Sequence, residues 1–309
     1  MSEIKQGTAA QPLPAAHHIP PRALLLVAVL TLVWGTNWML FPLAVREVSV
    51  WTFRAVAMVG AGVMLLAIAR ARGQSLMLPK PQRPRIVAAA LGYLALWNVA
   101  TAYAAVLIPS GQAALLGFTM PLWSAFFSWL IWREPLLGRM RVAMVLGAVG
   151  VGLLMWRSFG AYAQAPLGVA LGLLAGIGWA AGTLILKRGG LTVPATVLTG
   201  WQLLIAAVPV AIGAIVFAQG PLFMPNWNSV LIIVYITVIP MGLGNVAWFA
   251  IVGLLPANVA GLSSIMVPVV AMIAGALVHG EPLGAVQWAA MGCCVGALAL
   301  VVLKPRLSV

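Results

Sequence analysis

The chain contains no aspartate, and its 309 residues hold four acids, Glu3, Glu47, Glu134 and Glu281. Paired aspartates for acid–base hydrolysis are therefore excluded. No HExxH sequence supplies a zinc-protease helix, and no lysine is followed by Ser or Thr, so a Walker A loop for ATP is absent as well. A Ser263/His279 dyad fails on distance, because sixteen residues along one helix at ~1.5 Å each separate the two by roughly 24 Å. These absences point away from an enzyme. Cysteine is confined to Cys293 and Cys294. Adjacent residues cannot close a normal structural bridge, so a packing role is expected. His17 and His18 are a pair without further ligands, which favours solvated side chains over a metal site. Neither metal nor cofactor is expected.

What the chain has in quantity is apolar surface. It is 63% hydrophobic and 7% charged, with a mean hydropathy of +1.08. Apolar runs of about 20 residues, each enough to cross ~30 Å of hydrocarbon as a helix, recur along most of its length. The short alternating strands of a membrane barrel are missing. The composition specifies an all-α polytopic membrane protein in contact with the lipid bilayer. Ten transmembrane helices are read at 23–43, 49–69, 86–105, 109–131, 140–156, 167–186, 194–217, 229–250, 256–278 and 284–303.

The net charge of +13 would suit a nucleic-acid partner, but the placement of the cations argues against one. With the N-terminus inside, the inner segments carry fourteen Lys and Arg and the outer segments only Arg46 and Arg157. That asymmetry reports orientation in the membrane, with both termini cytoplasmic. Residues 1–21, with Pro12, Pro14, Pro20 and Pro21, read as a disordered cytoplasmic tail. The first span is too long for a signal-peptide core and lacks a clear cleavage site, so it is retained as a membrane helix.

A register of 147 residues runs through the rest. Asn98 returns as Asn245, Pro109 as Pro256, Pro121 as Pro268, and Glu134-Pro135 as Glu281-Pro282. Matches of Asn, Pro and Glu inside apolar stretches are not cheap, and they indicate a duplicated unit. The halves are placed at 22–157 and 158–309, each with five spans. An odd number of spans forces the second copy to enter inverted, which gives two inverted five-helix repeats around a central cavity with alternative closures toward each side. Glu134-Pro135 and Glu281-Pro282 suit helix starts, with the carboxylate near the positive end; a gating or coupling carboxylate is the alternative. Pro121 and Pro268 interrupt the fourth span of each half as a kink or a hinge. The four-residue glycine spacings Gly168-Gly172-Gly176, Gly178-Gly182 and Gly292-Gly296 predict closely packed helix faces.

Several polar groups sit at membrane depth among aromatic residues. Trp34, Asn37 and Trp38 share a face of the first helix by their i, i+3, i+4 spacing. Trp97, Asn98 and Thr101 group on the third, with Tyr93 and Tyr103 above and below. The second half adds Trp179 and Thr183, Asn245 and Trp248, and Ser263 with Ser264. Asparagine in hydrocarbon needs partners, so each of these is either an interhelical hydrogen bond or part of a wet cavity. As a group they outline a cavity suited to a small zwitterion with an apolar or aromatic side chain. Arg54 lies near the outer end of its span, where snorkelling toward the interface is expected; pairing with a substrate carboxylate or with backbone carbonyls is the alternative.

The Trp34-Gly35-Thr36-Asn37 opening, the Arg54 segment, the Glu-Pro-Leu after each fourth helix and the two five-helix halves resemble the EamA family of the drug/metabolite transporter superfamily. Within it, the tryptophan-rich cavity helices are most similar to an amino-acid-exporter branch. The resemblance implies a basket in which helices one, three, four, six, eight and nine surround the cavity while five and ten are scaffold. It also implies export of aromatic and other neutral amino acids across a bacterial inner membrane. The expected substrate-binding residues are Trp34, Asn37, Trp38, Asn98, Thr101, Tyr103, Trp179, Asn245 and Trp248, with Pro121 and Pro268 as hinges. A monomer working by facilitated transport is expected, with a proton-coupled drug or metabolite exporter as the alternative.

Overall fold

The computed structural model describes residues 21–45, 47–108, 110–133, 138–157, 165–217, 226–255, 264–279 and 283–302. Every regular element among them is helical. The first expected span begins at once with α1 (Pro21–Asn37), which tightens through a 3-10 turn at Trp38–Leu40 into the short α2 (Phe41–Ala44). Ser49 then caps α3 (Val50–Ala71) by accepting from the backbone N–H of Thr52. The third span is α4 (Arg83–Ala89), a π-helical stretch at Ala90–Ala95, and α5 (Leu96–Leu107). The fourth is broken into α6 (Ser110–Gly117) and α7 (Met120–Trp132), and α8 (Gly138–Arg157) follows.

The second half repeats this series. Two unbroken helices, α9 (Pro166–Arg188) and α10 (Ala195–Phe217), lead to α11 (Trp227–Ile236), a second π-helical stretch at Thr237–Leu243, and α12 (Gly244–Leu254). After a 3-10 turn at Ser264–Met266 come α13 (Val267–His279) and α14 (Ala285–Val302). The 147-residue register therefore governs local structure as well as residue identity. The starts of the two π-stretches, the starts and ends of α7 and α13, and the starts of α8 and α14 all coincide under it.

Among the described residues, six segments are long and apolar enough to cross a membrane as they stand: Pro21–Leu40, Val50–Ala71, Lys80–Ala105, Pro166–Arg188, Ala195–Phe217 and Trp227–Leu254. The helices of the expected fourth and ninth spans are shorter pieces. Pro121 lies in the first turn of α7, and Pro268 is the second residue of α13. Proline there stands where a backbone N–H has no helical partner in any case, so the break falls just before each proline. The outward faces are apolar: Leu25, Ile215 and Leu277 are among many large exposed side chains, as a lipid-facing surface requires.

The halves pack across rather than within themselves. The broadest contacts are α3 against α10 and α8 against α14, each pairing equivalent helices of the two copies. At the first seam Gly62 and Gly200 face each other, and a Cβ on either would lie 3.1 or 3.2 Å from the carbonyl oxygen opposite. The remaining contacts are reciprocal too: α9 packs on α5, α6 and α7, while α1 packs on α12 and α13.

The glycine-spaced face of α9 is tightly packed, as expected. A Cβ on Gly176 would lie 2.9 Å from the Gly117 carbonyl oxygen, and one on Gly182 would lie 2.3 Å from Cβ of Tyr93. Gly292 departs from the expectation, since it is exposed and a Cβ there would meet no atom within 4 Å. Cys293 and Cys294 are free thiols, and Cys294 is buried in a cluster with Ala143, Ile265 and Met291. His17, His18, Arg46, Pro109, Pro256, Ser263 and both Glu-Pro pairs lie outside the described residues.

Candidate functional site

The π-stretches position the site. In a π-turn the backbone N–H bonds the carbonyl five residues back, so the carbonyl four back is left to another donor. Just past the first stretch, the Asn98 amide Nδ2 donates to the Leu94 carbonyl at 2.8 Å. Asn245 does the same in the second, donating to the Met241 carbonyl at 2.7 Å. Both pairs keep the 147-residue register. The asparagines thus tie each π-stretch to the helix that follows it, and both face the interior. The Tyr93 hydroxyl, from the first π-stretch, donates to Oδ1 of Asn245 at 3.4 Å and ties the two stretches together.

Pro240 sits inside the second π-stretch, and its carbonyl accepts from the indole Nε1 of Trp34 at 3.0 Å. Gly244 makes room for that ring, because a Cβ there would sit 2.6 Å from Nε1. Trp34 is thereby fixed to the opposite half. Trp179 on α9 lies at the hub of an aromatic cluster. Its ring centroid is 4.4 Å from Tyr93, 4.5 Å from Trp97, 5.3 Å from Trp34 and 5.7 Å from Trp248. Most of these are edge-to-face contacts, each worth about 0.5–1.5 kcal/mol beyond area burial.

Between these rings lies a central cavity of about 60 Å³. Seven of the nine expected substrate-binding residues line it: Trp34, Asn37, Trp38, Asn98, Thr101, Trp179 and Asn245. Trp248 stands behind Trp34 and Trp179. Tyr103 is placed elsewhere, its hydroxyl accepting from the indole Nε1 of Trp51, with the two rings edge to face.

Arg54 requires a correction. Snorkelling would leave its guanidinium at the interface, but the residue is only 5% exposed and lines the central cavity. It belongs to the same helical stripe as Ala57, Met58, Ala61 and Leu65, all buried; that stripe of small and apolar residues was the signal for its inward direction. Its guanidinium carbon stands 3.9 Å from the Phe41 ring centroid and 5.4 Å from that of Phe53. Phe41, Trp97, Phe118 and Pro240 also reach the cavity wall beyond the expected set.

Several polar atoms here lack partners. Asn37 Oδ1, Arg54 Nε, Trp179 Nε1, Thr183 Oγ1 and Trp248 Nε1 are buried without a hydrogen bond. Buried polar groups are ordinarily satisfied; of these five residues, Asn37, Arg54 and Trp179 lie on the cavity lining and bring one open acceptor and two open donors to it. No group of three or more metal-ligating side chains occurs among the described residues.

A helical bundle with lipid-compatible surfaces, duplicated in register around a central polar and aromatic cavity, defines a membrane transport protein of repeat architecture. The chain belongs to the EamA-like transporter family, which it matches twice, over residues 21–156 and 166–303. It is 26% identical over 287 residues to the uncharacterized transporter YvbV of Bacillus subtilis (strain 168), covering 92% of this chain and 93% of that one. Similarity to the uncharacterized inner membrane transporter YedA of Escherichia coli (strain K12) is 28% over 279 residues, covering 89% and 88%. A protein crystal structure of 23% identity shares the fold, with a TM-score of 0.74 over 92% of this chain and 98% of the other.

Proposed function

We propose that the protein is an inner-membrane carrier that exports aromatic and other neutral amino acids by alternating access. The observation that carries this reading is the central cavity, whose aromatic walls hold open hydrogen-bond donors and an open acceptor. Rings from both halves suit an apolar or aromatic side chain, and the unpaired polar atoms suit a small zwitterionic head. The described cavity is smaller than the ~300 Å³ of an ordinary ligand pocket, so a substrate enters only when the halves part on one side. Two halves with reciprocal packing offer two such partings, one toward each face. In this reading ten spans form two inverted five-helix repeats, both termini are cytoplasmic by the distribution of Lys and Arg, and a single chain suffices. Pro121 and Pro268, at the breaks that precede α7 and α13, serve as the hinges. The inner-membrane assignment draws on the name of the relative YedA. With no Walker A loop in the sequence and none of its four acids at the middle of an expected span, transport in this reading runs down the substrate gradient.

The test is uptake of labelled phenylalanine and methionine by purified protein in liposomes, with and without a pH gradient. Saturable uptake that ignores the gradient is expected. Acceleration by the gradient would replace facilitated transport with the proton-coupled alternative. Flux that never saturates would mean a pore, and no flux from intact reconstituted protein would refute the amino-acid reading.

A further inference from the structure

We propose that Arg54 is the charge-selecting residue of the central cavity, and that the cavity accepts organic solutes only when they carry a carboxylate. This rests on the reading of the cavity as the transport site and deepens it by naming what the solute must present.

The guanidinium is a fixed cation with five N–H donors and no acceptor capacity. At its site it has one long contact, Nη2 to the Thr101 hydroxyl at 3.5 Å, and Nε has none. The Thr101 hydroxyl donates its own proton to the Trp97 carbonyl at 2.6 Å, which leaves its oxygen facing the cation as an acceptor. Otherwise Arg54 is covered by the Phe41 and Phe53 rings. Cation–π contact offsets only part of the cost of burying a charge. The one acid among the described residues, Glu47, is committed elsewhere: its carboxylate accepts from the Asn226 backbone and side chain and from the Ser229 hydroxyl. Among the described residues, therefore, no carboxylate stands beside this positive charge.

A carboxylate entering this space completes the missing pair, and the planar guanidinium fork matches it with two parallel hydrogen bonds. The solute's apolar body then lies against Trp38, Trp97 and Phe118, while Asn37 Oδ1 is open to one N–H or O–H donor of the solute. The position 147 residues after Arg54 is Trp201, whose indole donates to the Leu76 carbonyl. The charge therefore exists in one copy only, so the cavity takes a single anionic group.

The test follows binding through the intrinsic fluorescence of the cavity tryptophans in detergent-purified protein. The probes are phenylalanine, 3-phenylpropionate, phenylalaninamide and 2-phenylethylamine, which share a phenyl body and differ in the charged group. The two carboxylates are expected to bind at least about tenfold more tightly than the amide and the amine, the scale of one charge-assisted hydrogen bond. Arg54→Gln is expected to abolish that preference, and Arg54→Lys to keep it at lower affinity because the bidentate fork is lost. Equal binding of all four probes, no binding of any, or a preference that survives Arg54→Gln would each overturn the proposal. Binding of 3-phenylpropionate without phenylalanine would uphold it while refuting the amino-acid reading. Should Arg54→Gln fail to fold, the wild-type series still decides the charge requirement.

Discussion

Gly182 offers the sharpest test of the packing. Changing it to alanine puts a Cβ 2.3 Å from Cβ and 2.8 Å from Cγ of Tyr93. The Tyr93 Cβ is held by the backbone of the first π-stretch, so it cannot swing aside as the end of a long side chain could. Carbon atoms settle at about 3.5–4.0 Å, so α9 and the π-stretch must part by at least about 1.2 Å. The displacement falls on Tyr93, which carries both the edge contact with Trp179 and the hydrogen bond to Asn245. Overpacking of this kind costs about 1–3 kcal/mol, from which up to about 1 kcal/mol is recovered because alanine favours a helix over glycine. With the close contact made to a backbone-anchored atom the cost falls at the upper end, so the net loss is about 2 kcal/mol, or roughly 3 °C in the melting midpoint of a protein this size. Gly292→Ala is the matched control, since a Cβ there meets no atom within 4 Å and only the gain in helix propensity remains. The assay is the fraction of monodisperse protein on size exclusion after heating. Gly182→Ala should melt a few degrees below the parent and Gly292→Ala at or above it. Equal midpoints for the two variants would refute the argument that α9 is seated by contact with Tyr93.

Two further outcomes follow from the backbone. Asn98→Leu leaves the Leu94 carbonyl without its side-chain donor and should cost about 1–2 kcal/mol in denaturant unfolding. Asn245→Leu should cost more, because the Tyr93 hydroxyl loses its acceptor as well; the reverse order would contradict the roles assigned to the two asparagines. Lys187 Nζ donates to the Val252 and Leu255 carbonyls at 2.6 and 2.8 Å, closing the C-terminal end of α12. Lys187→Met should loosen that end by about 1 kcal/mol, seen as faster amide hydrogen exchange over the last turn of α12, with Lys187→Arg restoring protection.

Helix positions were legible because they depend on long apolar runs with proline and glycine at their ends. The expected boundaries at 49–69, 194–217 and 284–303 fall within two residues of α3, α10 and α14. Most of the cavity was legible as well, since asparagine and tryptophan at membrane depth have few other reasons to share a face. The π-stretches were not. Gly92 and Pro240 lie inside them, but neither residue distinguishes a widened turn from an ordinary helix, and an extra residue in the turn shifts the phase of everything after it. Tyr103 meets Trp51 for a simpler reason: it lies two residues past Thr101 on α5, about 200° around the helix from that cavity residue. Arg54 was misplaced for a different reason. Distance along the span suggested the interface, whereas the stripe shared with Ala57, Ala61 and Leu65 turns it inward.

The seams between α3 and α10 and between α8 and α14 have a consequence for how the chain is made. Each helix meets its main partner only after another 147 residues have been synthesised. At about 5–20 residues per second, that is a delay of roughly 7–30 s. Through that interval the first half stands in the bilayer with the Gly62 face of α3 uncovered. The nascent protein thus spends its early life as half of a dimer waiting for a subunit on the same chain, and lipid or a membrane chaperone must shield that face until the second half arrives.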